Sequence, residues 1–158
     1  MKKFILLFLI GFSIGNLAFS QDINDEITLM QAEFGMGKKQ LVEAVMNLPE
    51  SVSPGFWIIY QQYEGERQIL ARERILLINE YLSKYDIIDN NIADSLTKSI
   101  LKNSAARTKL HQKYHKKFKK VTTARDAAKF LQLDIYIHNT LRNLTLQELP
   151  FIDEFYNN

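Results

Sequence analysis

The chain has 158 residues, a formal net charge of +2 and no cysteine. The lack of cysteine excludes disulfides, thiolate metal sites, thiol catalysis and lipid attachment to a cysteine. The excess charge comes from Lys2 and Lys3, so the rest of the chain is electrically balanced and gives no general argument for binding nucleic acid or an anionic membrane. Only three prolines and six glycines occur, which favours long helices.

Residues 1–20 have the pattern of a secretory signal peptide. Two lysines at the start are followed by an apolar run over residues 4–14, and small residues at positions 18 and 20 precede a predicted cleavage after Ser20. The product is expected in the periplasm or secreted, with no stable membrane anchor once the signal is removed. The alternative is an uncleaved anchor, but the apolar run is shorter than the roughly 20 residues that a spanning helix needs.

Residues 21–158 are predicted to form a single all-helical domain, which begins with helix 1 over residues 27–48. Apolar residues recur in this segment at helical spacing, although Gly35 and Gly37 weaken the middle of the pattern. The chain then passes through a short linker that Pro49 and Pro54 bracket. We expect a continuous first helix that lies alongside the longer helices after the linker.

Helix 2 is predicted over residues 54–85, because Ser53 can cap it and Pro54 suits its first position. Its apolar side chains are three, four or seven residues apart, a spacing typical of a coiled-coil seam that needs a partner helix. Aromatic residues at positions 56, 57, 60 and 63 favour core packing, with an apolar client-binding strip as the alternative. Gly65 indicates a bend, a close approach of another backbone or, as the simpler interpretation, a tolerated glycine.

Helix 3 is predicted over residues 90–121 and helix 4 over residues 124–149. Asp89 supplies the capping side chain for helix 3, Thr123 supplies that for helix 4, and Pro150 ends helix 4. Short connections between long helices make consecutive helices antiparallel. The predicted fold class is therefore all-α, a four-helix elongated bundle or helical hairpin that follows an N-terminal signal peptide.

Charge is segregated along the chain. Residues 98–129 contain eleven lysines and arginines against one acid, whereas residues 21–97 contain thirteen acids against six basic residues. One interpretation is a basic surface that attracts an acidic partner, an unfolded client or anionic lipid. The preferred alternative is pairing within the molecule, between helix 3 and the acids of helix 2. Nucleic acid is not expected as a partner, because an exported chain rarely meets it and the lysine run lacks free stacking aromatics.

Three histidines are the remaining candidates for metal chemistry. His111 and His115 stand four apart on one face of helix 3, where a divalent metal could bridge them. A third ligand would have to come from elsewhere, and neighbouring lysines raise the cost of adding a cation, so a solvated basic face is the preferred interpretation. His138 stands alone on helix 4 and is expected at the surface or its boundary.

The sequence contains no serine flanked by glycines in a nucleophile elbow and no phosphate-binding loop. Glutamate pairs on helix 2 are at heptad spacing, which is typical of a solvated flank rather than of an acid/base pair. The chain is therefore predicted not to be an enzyme, and no cofactor is expected.

Segments 56–60, 113–121 and 127–133 together resemble a family of small exported bacterial helical proteins, over roughly Val45 to Pro150. More distantly, the layout resembles the Spy and CpxP group of periplasmic chaperones and stress sensors, with residues 121–125 in the place of their helix-start motif. This resemblance implies a cradle-shaped homodimer that binds unfolded clients without ATP, or an envelope stress sensor.

The sequence therefore predicts an exported, non-enzymatic helical binding protein, with an unfolded client or another protein as its partner. The candidate binding residues lie on helix 3 and are Lys113, Lys116, Lys117, Lys120 and Phe118. One alternative is a metal-responsive envelope protein that uses His111 and His115. Another is a structural or adaptor bundle for an unidentified protein partner.

Overall fold

A computed structural model describes Thr28 and residues 30–153. The predicted signal peptide of residues 1–20 and its cleavage site lie outside the described residues. All regular structure in the described part is helical, without a strand, so the all-α prediction is confirmed. None of the helices in the described ranges is both long enough and apolar enough to cross a bilayer.

Four α-helices follow residue 37 in the described chain. They are α1 (Lys38–Met46), α2 (Ser53–Lys84), α3 (Asn90–Val121) and α4 (Ala124–Gln147), with a 3₁₀ turn at Tyr85–Ile87 between α2 and α3. The bounds of α2, α3 and α4 agree with the predicted helices to within two residues.

The predicted continuous helix over residues 27–48 is wrong in its middle. Residues 30–34 are helical, the chain leaves the helix at residues 35–37, and α1 begins afresh at Lys38. Gly35 has a φ of 67°, a left-handed conformation that glycine adopts without a steric penalty and that ends a helix. Lys38 is therefore the first residue of a separate helix. The direction of this helix sets the position of the Lys38 side chain.

The long helices α2 and α3 form an antiparallel hairpin, and α4 packs against α3 while α1 packs against α4. The hairpin register is visible in contacts between the helices, such as Lys117 with Gln62 and Lys113 with Glu66. Because α3 reverses the chain, α2 and α4 run in the same direction. The space between α2, α3 and α4 therefore extends along the bundle.

Aromatic rings fill the end of the bundle at which α2 starts. Phe118 and Phe130 lie 4.4 Å apart between ring centroids, and Phe56 lies 5.0 Å from Phe118. Tyr60 and Tyr63 are buried in the same cluster. The aromatic residues of helix 2 thus contribute to the core, as the preferred interpretation of the sequence had it, and truncating one such ring costs about 3–5 kcal/mol.

Candidate functional site: a buried polar cluster beside an arginine-lined cavity

The side chain of Lys38 turns from the start of α1 into the bundle and is only 10% exposed. Its Nζ donates hydrogen bonds to Glu64 Oε1 at 2.5 Å, to Asp134 Oδ1 at 2.7 Å and to His138 Nε2 at 3.0 Å. An ammonium group has three protons, so all of its donors are satisfied. Lys38 therefore links α1 to both α2 and α4.

Asp134 is the acceptor at the centre of this arrangement and is completely buried. Besides Lys38, it accepts a hydrogen bond from the hydroxyl of Tyr63, and Nε2 of His111 lies 3.2 Å from its Oδ2. Burial alone would raise the pKa of Asp134, but the charge of Lys38 and the hydrogen bond from His111 outweigh it and hold the pKa well below its usual value. The carboxylate is therefore ionised inside the bundle.

His138, expected at the surface or its boundary, is 8% exposed. Burial, aided by repulsion from Lys38, lowers its pKa to about 4, against the opposing attraction of Asp134. The ring is therefore neutral near pH 7, and the short contact with the Lys38 ammonium assigns its Nε2 as a hydrogen-bond acceptor. His138 thus accepts the third hydrogen bond of the Lys38 ammonium group without adding charge.

Arg67 extends the arrangement along α2. Its Nε donates to Glu64 Oε2 at 2.9 Å, so Glu64 is shared between Arg67 and Lys38. The seven residues in contact, drawn from α1, α2, α3 and α4, are called the polar cluster below: Lys38, Tyr63, Glu64, Arg67, His111, Asp134 and His138. Two cations face two carboxylates, so the polar cluster is electrically balanced and joins four helices.

A partly open cavity of about 600 Å³ begins where the polar cluster ends. Arg67 and His138 form one end of it, and it follows α2 to Leu82, roughly 22 Å at the rise of an α-helix. Its walls are mainly aliphatic side chains from α2 and α4, among them Leu70, Ile75, Ile78, Leu141 and Leu144. The bundle is therefore well packed at the aromatic end and has a partly open cavity along its other half.

Three further arginines line this cavity, Arg74 on α2, Arg107 on α3 and Arg142 on α4, called the arginine cluster below. They also line a second, more polar cavity of about 260 Å³, so they stand at the junction of the two spaces. Burial and mutual repulsion lower the pKa of Arg74 and of Arg107, although Asp134 opposes the shift at Arg107. Within the described residues, none of the three makes an ion pair or a hydrogen bond.

The candidate binding residues of helix 3 do not all lie on one surface. Phe118 is 1% exposed and belongs to the aromatic core. Lys113 pairs with Glu66 at 2.6 Å, and Lys117 donates to Gln62 at 3.1 Å, whereas Lys116 and Lys120 are exposed. The contact of Lys113 with Glu66 is an instance of the pairing between helices that the charge pattern suggested.

The candidate metal ligands His111 and His115 lie on one helix, but His111 faces Asp134 in the polar cluster. Nδ1 of His115 is buried without a hydrogen-bond partner in the described residues. No group of three or more histidines or carboxylates suited to a metal occurs in the ranges that the structure describes. Metal binding by this pair stays a prediction without a third ligand.

Sequence reasoning missed both the polar cluster and the arginine cluster. One signal was present: Asp134 lies on the same helical face as Phe130, Ile137 and Leu141, where an acid must find buried partners. Its partner Lys38 is 96 positions away, and no local pattern connects them. The cavity had no signal in the sequence, because the aliphatic residues that line it follow the same spacing as core residues.

Comparisons of the chain with protein-family models, with curated proteins and with solved structures gave no match. The resemblance to the Spy and CpxP group, and the cradle-shaped dimer that it implies, therefore stay predictions. The class that the fold defines is an all-α helical bundle with a partly open cavity.

Proposed function

We propose that this chain is an exported, non-enzymatic helical binding protein whose binding site is the cavity between α2, α3 and α4. The observation that carries the proposal is about 600 Å³ of space lined mainly by aliphatic side chains in a small bundle. Small-molecule sites are typically apolar cavities of about 300–1,000 Å³ with a few polar groups, which is the composition found here.

The polar cluster supports a binding role because it fixes the end of the cavity. It ties α1, α2 and α4 together by hydrogen bonds to Lys38 and Asp134, next to the cavity wall formed by Arg67 and His138. A wall held in this way needs little rearrangement when a ligand enters, which favours affinity. Lys38 and Asp134 bind each other and are not among the residues that line the cavity, so we propose no catalytic role for them.

The experiment measures binding of a neutral apolar dye, Nile red, to the purified protein by its fluorescence. We expect a saturable increase in fluorescence. Ala71 lines the cavity, so Ala71→Trp should fill part of the space and abolish the increase. Ala105 is exposed on α3, so Ala105→Trp adds the same bulk elsewhere and should bind dye as the unmodified protein does.

Circular dichroism of both variants shows whether they keep their helical content. Saturable dye binding that is equal in the two tryptophan variants would place the dye outside the cavity and contradict the proposal. No dye binding to the unmodified protein would contradict it as well.

A second candidate is binding of unfolded clients, as in the Spy and CpxP group. The observation that favours it is the exposure of Lys116 and Lys120, neither of which makes an ion pair within the described ranges. Light scattering of a denatured client at excess protein tests it. Suppression of aggregation should weaken when both lysines are replaced by glutamine, and a lack of suppression by the unmodified protein would reject this function.

A further inference from the structure

The three residues of the arginine cluster make no ion pair with any described residue. Arg74, Arg107 and Arg142 are partly buried, repel one another and have no carboxylate within ion-pair distance among the described residues. Charges removed from water are ordinarily paired, because unpaired ones destabilise the fold. Such an arrangement is expected where a negative charge arrives with a ligand.

The cavity walls offer the arginines little compensation. Glu148 is the one carboxylate among the described lining residues; it lies six positions after Arg142, just beyond the end of α4, and makes no ion pair with the three arginines. The second cavity presents asparagines, such as Asn139, beside the same three arginines. The positive charge is therefore concentrated at the junction of the two spaces.

The surroundings of the arginine cluster also indicate the chemical nature of the rest of an anionic ligand. On one side lies the long cavity with aliphatic walls, and on the other lies the smaller polar cavity. An ion with no apolar part would leave the long cavity empty. A neutral lipid would leave three guanidinium groups without a partner.

We propose that the cavity binds a long-chain carboxylate, with its head on Arg74, Arg107 and Arg142 and its chain along the aliphatic wall. This proposal rests on the binding function proposed above and adds the class of ligand. Guanidinium groups suit it because their paired N–H donors match the two oxygens of a carboxylate. Residues Leu70, Ile78 and Leu144 supply the apolar surface for the chain.

Titration calorimetry with three probes tests the proposal at neutral pH, with dodecanoate below its micelle-forming concentration and dodecanol below its solubility limit. Dodecanoate carries both the head and the chain, dodecanol carries the chain without the charge, and acetate carries the charge without the chain. Charged hydrogen bonds of the usual strength make dodecanoate bind about tenfold to a hundredfold tighter than dodecanol. Acetate should show no measurable binding.

Two variants of the site and one control locate the head. Arg107→Gln should weaken dodecanoate binding about tenfold and leave dodecanol binding unchanged. Asn139→Asp places a carboxylate beside the arginines and should weaken dodecanoate binding by a similar factor. Arg125 is exposed at the start of α4, away from both cavities, so Arg125→Gln should change neither affinity.

A stability measurement separates a ligand site from a structural role for the arginines. Arg107 is attracted by Asp134 and repelled by Arg142 and Arg67, and because these effects oppose each other, Arg107→Gln should melt close to the temperature of the unmodified protein. Equal affinity for dodecanoate and dodecanol would overturn the carboxylate proposal and leave the binding function standing. Failure of both probes to bind would overturn both, and so would dodecanoate binding that Arg107→Gln and Arg125→Gln reduce equally.

Discussion

Replacing Lys38 by methionine is expected to destabilise the fold strongly. The substitution keeps the apolar stem and removes the ammonium group that binds Asp134, Glu64 and His138. Asp134 would then be a fully buried carboxylate with only Tyr63 and a histidine as donors. Breaking a buried ion pair by removing one partner costs about 3–5 kcal/mol, a large part of the 5–15 kcal/mol that typically stabilises a domain.

The neighbouring lysine provides a matched control. Lys39 is exposed, and its Nζ lies 5.2 Å from the ring centroid of Trp57, a contact worth about 0.5–1 kcal/mol at an exposed site. Lys39→Met makes the same chemical change one residue along the same helix. Urea unfolding at neutral pH measures the free energy of unfolding of both variants. If this free energy falls with urea concentration at a similar slope in the two variants, the difference between them is a difference in stability.

A double variant identifies the interaction responsible. If the cost of Lys38→Met comes from leaving the Asp134 charge unpaired, Asp134→Asn should remove part of that cost. The double variant should then lose less free energy of unfolding than the two single variants together, by about 0.5–3 kcal/mol. The reasoning is refuted if Lys38→Met costs no more than Lys39→Met, or if the two single costs simply add.

Three other predictions follow from single residues. Burial lowers the pKa of His138 from 6.5 to about 4. Between these two pH values the unfolded chain therefore binds one more proton than the folded chain. The free energy of unfolding should fall by about 3 kcal/mol as the pH drops from 6.5 to 4. Thermal melting across this range should show a smaller decline for His138→Gln, and equal declines would contradict the assignment. Gly65 lies within α2 with no atom close to an added Cβ, so Gly65→Ala should raise stability by about 0.5–1 kcal/mol, whereas Gly35→Ala, at a φ of 67°, should lower it by about 1–2 kcal/mol. The two alanine variants should therefore melt on opposite sides of the unmodified protein. Phe118→Ala should cost about 3–5 kcal/mol in urea unfolding, because the ring is buried among aromatic neighbours, and a loss below 1 kcal/mol would contradict that placement.

The starts of α3 and α4 were predictable because local chemistry fixes them, whereas Ser53, the predicted cap of helix 2, is the first residue of α2 and makes no capping hydrogen bond. Asp89 accepts a hydrogen bond from the backbone N–H of Ile92 at 2.8 Å, and Thr123 accepts one from that of Asp126 at 3.0 Å. Both interactions involve residues three positions apart, so the sequence contains all the information they need. The starts of α3 and α4 could therefore be placed to the residue.

The break before α1 could not be predicted in the same way. Gly35 and Gly37 weaken a helix, but a glycine can equally be tolerated inside one, as Gly65 is within α2. What separates these cases is packing: the new helix allows Lys38 to reach Asp134. A contact between residues 96 positions apart thus influences a local conformation, and propensity alone does not include it.

The contrast between Arg67 and the arginine cluster strengthens the argument for a ligand. Arg67 lies on α2 two turns before Arg74, and Glu64, three residues before Arg67, accepts its hydrogen bond at 2.9 Å. The same helix therefore supplies a carboxylate for one buried arginine and none for the next along the cavity. Asn139 stands beside the arginine cluster, where an aspartate of nearly the same size would supply the missing charge. Since charges at one end of the cavity are paired and three arginines farther along have no ion-pair partner among the described residues, an anion that binds there is the best explanation of the excess positive charge.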